Sequence, residues 1–93
     1  MNIELKLYGR FAEIFDADKK IIKIEEGADI RDLLNHLCDT DERRMKIFDV
    51  EKKNLRPNVV VRKNGRFIVH LNWLATELEE GDQVEILTLH CGG

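Results

Sequence analysis

A regular alternation of apolar and charged side chains over residues 2–8 constrains the fold more than any other feature of the sequence. Its apolar members are Ile3, Leu5 and Leu7, and charged residues stand between them. A period of two places the apolar side chains on one face of a strand and the charged ones on the other. Residues 20–25 repeat the pattern. The sequence therefore predicts a hairpin of two half-buried strands with an exposed connection.

An amphipathic helix is predicted to begin after Asp29, which is a typical N-cap residue. His36 lies off the apolar stripe of this helix and is expected in solvent. Cys38 lies on the stripe and is interpreted as a small buried hydrophobe. The stripe consists of Ile30, Leu33, Leu34, Leu37 and Cys38 at helical spacing.

The second half of the chain is predicted to add further strands. Residues 39–56 are charged and mixed, and we interpret them as a loop-rich segment with room for a short helix. The unbroken apolar run 59–61 indicates a strand buried on both sides. Asn64-Gly65 is a hairpin turn signal, with 67–69 as the return strand.

The last predicted strand covers residues 84–89 and directs Val84 and Ile86 to the core. Glu85, Leu87 and Leu89 then lie on the other face. A helix crossover separates the two halves of the chain, which favours parallel pairing of the first and last strands. The predicted fold class is α+β, a mixed sheet covered on one side by one main helix.

Size and charge restrict the class of protein. The 93 residues fit one domain, which we place at 1–89, with 90–93 as a flexible tail. The net charge of −3 argues against a nucleic-acid partner, and no apolar run is long enough to cross a membrane. The first residues carry no leader pattern, and two cysteines are too few for a disulfide framework. We therefore expect a cytoplasmic protein with reduced thiols.

The sequence ends in Cys91-Gly92-Gly93, and glycine contributes nothing to a packed core. Without Cβ atoms, the last two residues can pass between close walls and present the terminal carboxylate as an unhindered acyl group. A frayed terminus is the alternative that the glycine pair alone leaves open.

Four stretches together resemble the ubiquitin-like β-grasp sulfur carriers. They are residues 7–13 (LYGRFAE), 61–65 (VRKNG), 78–86 (LEEGDQVEI) and the terminal Gly92-Gly93. This family includes the small subunit of molybdopterin synthase (MoaD), the thiamine carrier ThiS and the ubiquitin-related modifiers. The resemblance covers nearly the whole chain and implies a β-grasp fold.

The resemblance also implies a protein substrate and sulfur donor rather than an enzyme, without a cofactor. A ubiquitin-activating-type adenylyltransferase (MoeB/ThiF type) would adenylate the Gly93 carboxylate, and a sulfur donor would convert it to a thiocarboxylate. His90, Cys91 and Gly92 would thread the channel of the partner. The sulfur would then pass to the large subunit of a synthase in molybdopterin or tungstopterin synthesis, or to another acceptor.

Three functional hypotheses stay open. The tail suits a sulfur carrier for pterin synthesis, for thiamine or for tRNA thiolation. It equally suits a modifier that is joined to lysines through Gly93. The third hypothesis is an interaction module whose tail is inactive. A metal site is disfavoured, because His90 and Cys91 are adjacent ligands without partners at metal-binding spacing.

A docking patch for the partner is expected beside the tail. Leu87 and Leu89 flank the tail on the face that points away from the core. Phe11 belongs either to this patch or to the core after the first strand. Trp73 is interpreted as a core or near-core residue.

Overall fold

The alternating segment at the start of the chain forms the first strand of an antiparallel hairpin. A computed structural model describes residues 1–49, 51 and 53–89. In it, β1 (Asn2–Leu7) pairs with β2 (Lys19–Lys23), and Ile3 lies opposite Ile22. The apolar residues of β1 are buried and the polar ones are partly exposed or exposed. This confirms the prediction of a half-buried hairpin.

The connection between these strands contains a helix that the sequence did not predict. Helix α1 (Arg10–Ile14) follows Gly9, whose φ of +56° is a conformation that glycine adopts without steric cost. Phe11 and Phe15 are 1% and 2% exposed. Their burial against the sheet gives the short helix a stability that its length alone would not provide.

Helix α2 (Ile30–Leu37) is the main helix and begins where the sequence predicts. Asp29 and Asp32 form a reciprocal cap: Asp32 N–H donates to Asp29 Oδ1 at 2.9 Å, and Asp29 N–H donates to Asp32 Oδ2 at 3.0 Å. Its apolar side chains cover the sheet and are buried, and Cys38 just beyond it is 4% exposed. His36 is exposed, as expected.

Residues 39–56 are more regular than the predicted loop-rich segment. Helix α3 (Asp41–Ile47) is capped by the Thr40 hydroxyl, which accepts from the Arg43 N–H at 3.1 Å. Strands β3 (Phe48–Asp49) and β4 (Asn54–Leu55) then form a small antiparallel ladder. The buried Ile47 and Phe48 attach this segment to the core.

The main sheet has five strands in the order β2-β1-β7-β5-β6. Strand β5 (Val59–Lys63) forms a hairpin with β6 (Arg66–Phe67), and two short 3-10 helices (Ile68–His70 and Trp73–Ala75) lead to β7 (Gln83–Thr88). Strand β7 is antiparallel to β5 and parallel to β1, which confirms the predicted mixed sheet.

Two predictions about β5 and β6 are wrong. Val59 and Val61 are buried, but Val60 between them is only half-buried. In the part of the chain that the structure describes, the strand is therefore fully covered only on the side of Val59 and Val61. The return strand also ends at Phe67, because Ile68 turns into the core within a 3-10 helix and is 0% exposed.

Trp73 is not a core residue. Its side chain is 37% exposed, and its Nε1–H donates to Asn54 Oδ1 at 2.8 Å. The tryptophan therefore joins the connection before β7 to the β3–β4 ladder at the surface. In the part of the chain that the structure describes, no helix is long and apolar enough to cross a membrane.

Candidate functional site

The last strand brings the chain to its tail and is paired on both sides. Strand β7 lies between β1 and β5 at the centre of the sheet. Beyond Thr88, the Leu89 N–H donates to the Asn58 carbonyl oxygen at 2.9 Å. We call residues 87–89 the tail root. The residues predicted to be activated or threaded lie outside the described residues; they are Gly93, Gly92, Cys91 and His90.

The tail root presents apolar side chains on the outer face, which is the side of the five-stranded sheet turned away from α2. Leu87 is half-buried and lies opposite Val60, and Leu89 is 52% exposed. Phe11 is 1% exposed, so its place in the predicted docking patch is wrong and its alternative role in the core is the one observed. The surface beside the tail therefore consists of Leu87, Leu89 and Val60.

A buried carboxylate lies next to this surface. Glu85 points to the outer face, yet the residue is only 7% exposed. Its Oε2 accepts from the Tyr8 hydroxyl at 2.7 Å and from Arg62 Nη2 at 2.9 Å. The Arg62 guanidinium carbon in turn lies 5.7 Å from the centre of the Phe67 ring. This Tyr8–Glu85–Arg62 cluster ties β1, β7 and β5 together two residues before Leu87.

The cluster keeps Glu85 charged and Tyr8 protonated. Burial disfavours the charged form of Glu85, but the hydrogen bonds from Tyr8 and Arg62 outweigh it, so the pKa of Glu85 is lowered. The hydrogen bond to Glu85 raises the pKa of Tyr8, because it stabilises the protonated phenol that donates. The ion pair and the hydrogen bonds of this cluster therefore connect neighbouring parts of the sheet on its outer face.

Sequence reasoning placed Glu85 on the outer face and missed its partners. The three members of the cluster lie far apart in the chain. In the sequence alone, a glutamate that alternates with core residues along a strand has the pattern of an ordinary solvent-exposed side chain. The signal becomes visible only with the strand register, which places Lys6 and Arg62 on either side of Glu85.

The 78–86 stretch forms the turn that starts β7. Gly81 has a φ of +83°, and its N–H donates to the Asn2 carbonyl oxygen at 2.9 Å. Asp82 accepts from the Glu79 N–H at 2.8 Å and from Asn64 Nδ2 at 2.9 Å. Glycine and aspartate are therefore needed here to align β7 with β1 and with the β5–β6 hairpin.

The remaining candidate groups do not build a reactive centre. Burial raises the pKa of the Cys38 thiol to about 11, so this cysteine is protonated at neutral pH, as expected of a core residue. Among residues 1–49, 51 and 53–89, no three histidine, cysteine, aspartate or glutamate side chains converge as a metal site would require.

Comparison with known proteins establishes the family. A model described as the ThiS family matches residues 5–93. The chain belongs to the ThiS family. This ThiS-family chain is 31% identical over 94 residues to small archaeal modifier protein 3 of Haloferax volcanii, and the match covers all of both proteins.

Solved structures show the same fold. The solution structure of the Haloferax volcanii HVO 2177 protein has a TM-score of 0.84 and 30% identity, covering the whole of this chain and 87% of that one. A complex of subunits 1 and 2 of molybdopterin-converting factor from Helicobacter pylori contains a chain with a TM-score of 0.64 and 19% identity, covering 100% of both. These likenesses and the strand order confirm the ubiquitin-like β-grasp fold of this ThiS-family chain.

The Glu85 cluster predicts a pH-dependent contribution to stability. We expect Glu85→Gln to lower the free energy of unfolding at pH 7 by about 1–3 kcal/mol, because the Tyr8 hydrogen bond loses its anionic acceptor and the Arg62 ion pair becomes a hydrogen bond to a neutral amide. Since the pKa of Glu85 is lowered in the folded state, this stabilisation is present above about pH 4.3 and is lost as the pH falls through the folded-state value.

Urea denaturation of both proteins at pH 7 and pH 3 measures this difference. The exposed Glu13→Gln on α1 is the matched control and should change stability by less than about 0.5 kcal/mol at either pH. An equal loss for Glu85→Gln at pH 7 and pH 3 would show that the charge is not responsible.

Proposed function

We propose that this chain is a sulfur carrier protein whose Gly93 carboxylate is adenylated and then converted to a thiocarboxylate. The match of the ThiS family model from residue 5 through Gly93 is the observation that carries this proposal. The structure adds a physical reason. Strand β7 is fixed by pairing with both neighbours, and a segment of four residues after the tail root can span at most about 13 Å.

Activation solves a chemical difficulty of the tail. A terminal carboxylate has a pKa of about 3.3–3.7, so at neutral pH it is an anion and a poor electrophile. Attack of its oxygen on the α-phosphorus of ATP releases pyrophosphate and leaves an acyl adenylate. Sulfur at the oxidation level of sulfide then displaces AMP at the carbonyl carbon and loses its proton, and the product is a thiocarboxylate that can attack an acceptor.

The catalyst of both steps is a partner of the ubiquitin-activating type (MoeB/ThiF type), and a separate donor supplies the sulfur. The chain itself carries no glycine-rich phosphate loop of the G-x-x-x-x-G-K type. It would therefore serve as a protein substrate, and we propose a cytoplasmic location because its activation would consume ATP. Gly92, Cys91 and His90 would thread the channel of the partner.

Molybdopterin or tungstopterin synthesis is the pathway that we propose for the sulfur. The Helicobacter pylori complex supports it, because there a chain of this fold is bound to a second subunit of molybdopterin-converting factor. A large synthase subunit would then receive the thiocarboxylate of this chain.

A protein modifier is the second candidate function. The whole-length match to small archaeal modifier protein 3 favours it. Both functions need the same adenylated Gly93, but a modifier transfers its acyl group to a lysine amine instead of delivering sulfur. Conjugates that contain the mass of the whole chain therefore distinguish a modifier from a carrier.

The surface beside the tail is proposed as the docking site of the activating partner. Leu89 is 52% exposed at the last described position, and the half-buried Leu87 and Val60 lie beside it. Covering these side chains removes apolar surface from water, at about 25 cal/mol per Å². Docking at this place holds the tail root against the entrance of the channel.

Removal of Gly93, or the Gly92→Val substitution, should leave folding intact and abolish sulfur loading. A β-branched side chain stiffens the backbone and widens the tail where we infer close channel walls. Intact-mass spectrometry after incubation with ATP, an adenylyltransferase and a sulfur donor measures loading as a gain of about 16 Da at the acyl group. Loading of either variant at the wild-type level would contradict the carrier function.

Leu89→Asp should reduce kcat/KM for adenylation of the chain by about tenfold or more, because a charge would be desolvated in the docked complex. Ile21→Asp is the matched control. Ile21 is 61% exposed on the same outer face, but it lies level with the first residue of β7 and far from the tail root. Adenylation kinetics at varied chain concentration give the ratio, and equal losses in both variants would exclude a local patch.

A further inference from the structure

A cavity of about 410 Å³ opens beside the tail root, between α1, α3 and the start of β5. The Asn58 carbonyl that accepts from Leu89 belongs to one of its lining residues. The cavity is therefore adjacent to the point where the tail begins. Its lining consists of Arg10, Glu42, Met45, Lys46, Arg56 and Asn58.

Three of these lining residues are cations, and we call Arg10, Lys46 and Arg56 the basic cluster. Each ion pair found within residues 1–49, 51 and 53–89 uses a cation outside this cluster. Glu42 lines the same cavity but forms no ion pair with the cluster in that part of the chain. The lining therefore carries three cations and one carboxylate, an excess of positive charge in a chain whose net charge is −3.

Contacts within the fold hold parts of the cluster in place. The Arg56 N–H donates to the Ile47 carbonyl oxygen at 2.9 Å, and Arg56 Nε donates to the Met45 carbonyl oxygen. The Arg10 guanidinium carbon lies 6.0 Å from the centre of the Phe11 ring. The Met45 side chain, which lines the same cavity, is 50% exposed. The cavity thus combines fixed positive charge with an apolar contact.

We propose that the basic cluster binds an acidic segment of the protein that activates the tail. This inference rests on the proposed function, since it names a recognition surface for the same partner. Residues 90–93 reach at most about 13 Å, so a partner that takes Gly93 into its active site must lie against the tail root and the adjoining cavity. Complementary charge there would steer the encounter and orient the docked complex.

Charge exchange in the cluster tests this inference. We expect the Arg10→Glu/Lys46→Glu double variant to lower kcat/KM in ATP–pyrophosphate exchange by about tenfold or more at low salt, mainly through a higher KM. Lys46→Arg, which keeps the charge, should retain wild-type values. The control is Lys20→Glu/Lys23→Glu on β2, which makes the same change of charge at exposed positions away from the cavity. It should stay within about twofold of wild type.

Salt supplies a second readout of the same contact. Wild-type kcat/KM should fall as ionic strength rises, and the double variant should lose or reverse this dependence because two attractive charges are replaced by repulsive ones. Equal losses in the double variant and in the β2 control, or no loss in either, would overturn the inference. Absence of exchange with wild-type protein would instead count against the proposed function.

A binding experiment that needs no enzyme separates the two failures. The probe is a synthetic decapeptide of glutamate and leucine, titrated into the labelled chain and followed by NMR. We expect shifts of the amides of Met45, Lys46 and Asn58 that disappear in the Arg10→Glu/Lys46→Glu variant and persist in the β2 control. Binding of the peptide at a different surface would overturn the inference. So would a result in which pyrophosphate or an oligonucleotide binds at the cluster and the peptide does not.

Discussion

The insertion of β7 between β1 and β5 is the interaction on which the rest of the structure depends. Its inner side chains, Val84 and Ile86, are 0% exposed, so this central strand contributes fully buried side chains to the core. The turn at Gly81 and Asp82 sets its register against both neighbours. The same pairing delivers the chain to the tail root at a fixed place on the surface. The position of the tail root therefore depends on the pairing of β7 within the sheet.

The outer face of the sheet is stabilised by charge rather than by a second layer. Glu85 is satisfied by Tyr8 and Arg62, which leaves the apolar side chains of the tail root as an open patch at the edge of the cluster. The basic cluster then borders the tail root on the side of α3. An apolar surface and a charged surface beside one tail root would let the proposed docking partner fix both position and orientation.

Much of the fold could be predicted from periodicity, because β1 and α2 each bury one regular set of side chains. Helix α1 was not predicted, because it is short and its stability comes from burying Phe11 and Phe15 rather than from local helix propensity. The run 59–61 was misassigned, because an unbroken apolar run does not show that the outer face is uncovered at Val60. The Glu85 cluster and the basic cluster unite residues from distant parts of the sequence, and only the strand register and the packing of α3 bring them together. The position of Leu87 and Leu89 on the face away from the core was predicted, because simple alternation along one strand places them there.

The central claim is that the Gly93 acyl group carries the sulfur. The most direct measurement is fragmentation of the intact, loaded chain in a mass spectrometer. Exchange of oxygen for sulfur adds about 16 Da, and oxidation of a cysteine to a sulfenic acid adds nearly the same mass. The proposed function predicts the gain in every fragment that contains Gly93 and none in fragments that end at Cys91. A gain that appears in fragments ending at Cys91 would contradict it.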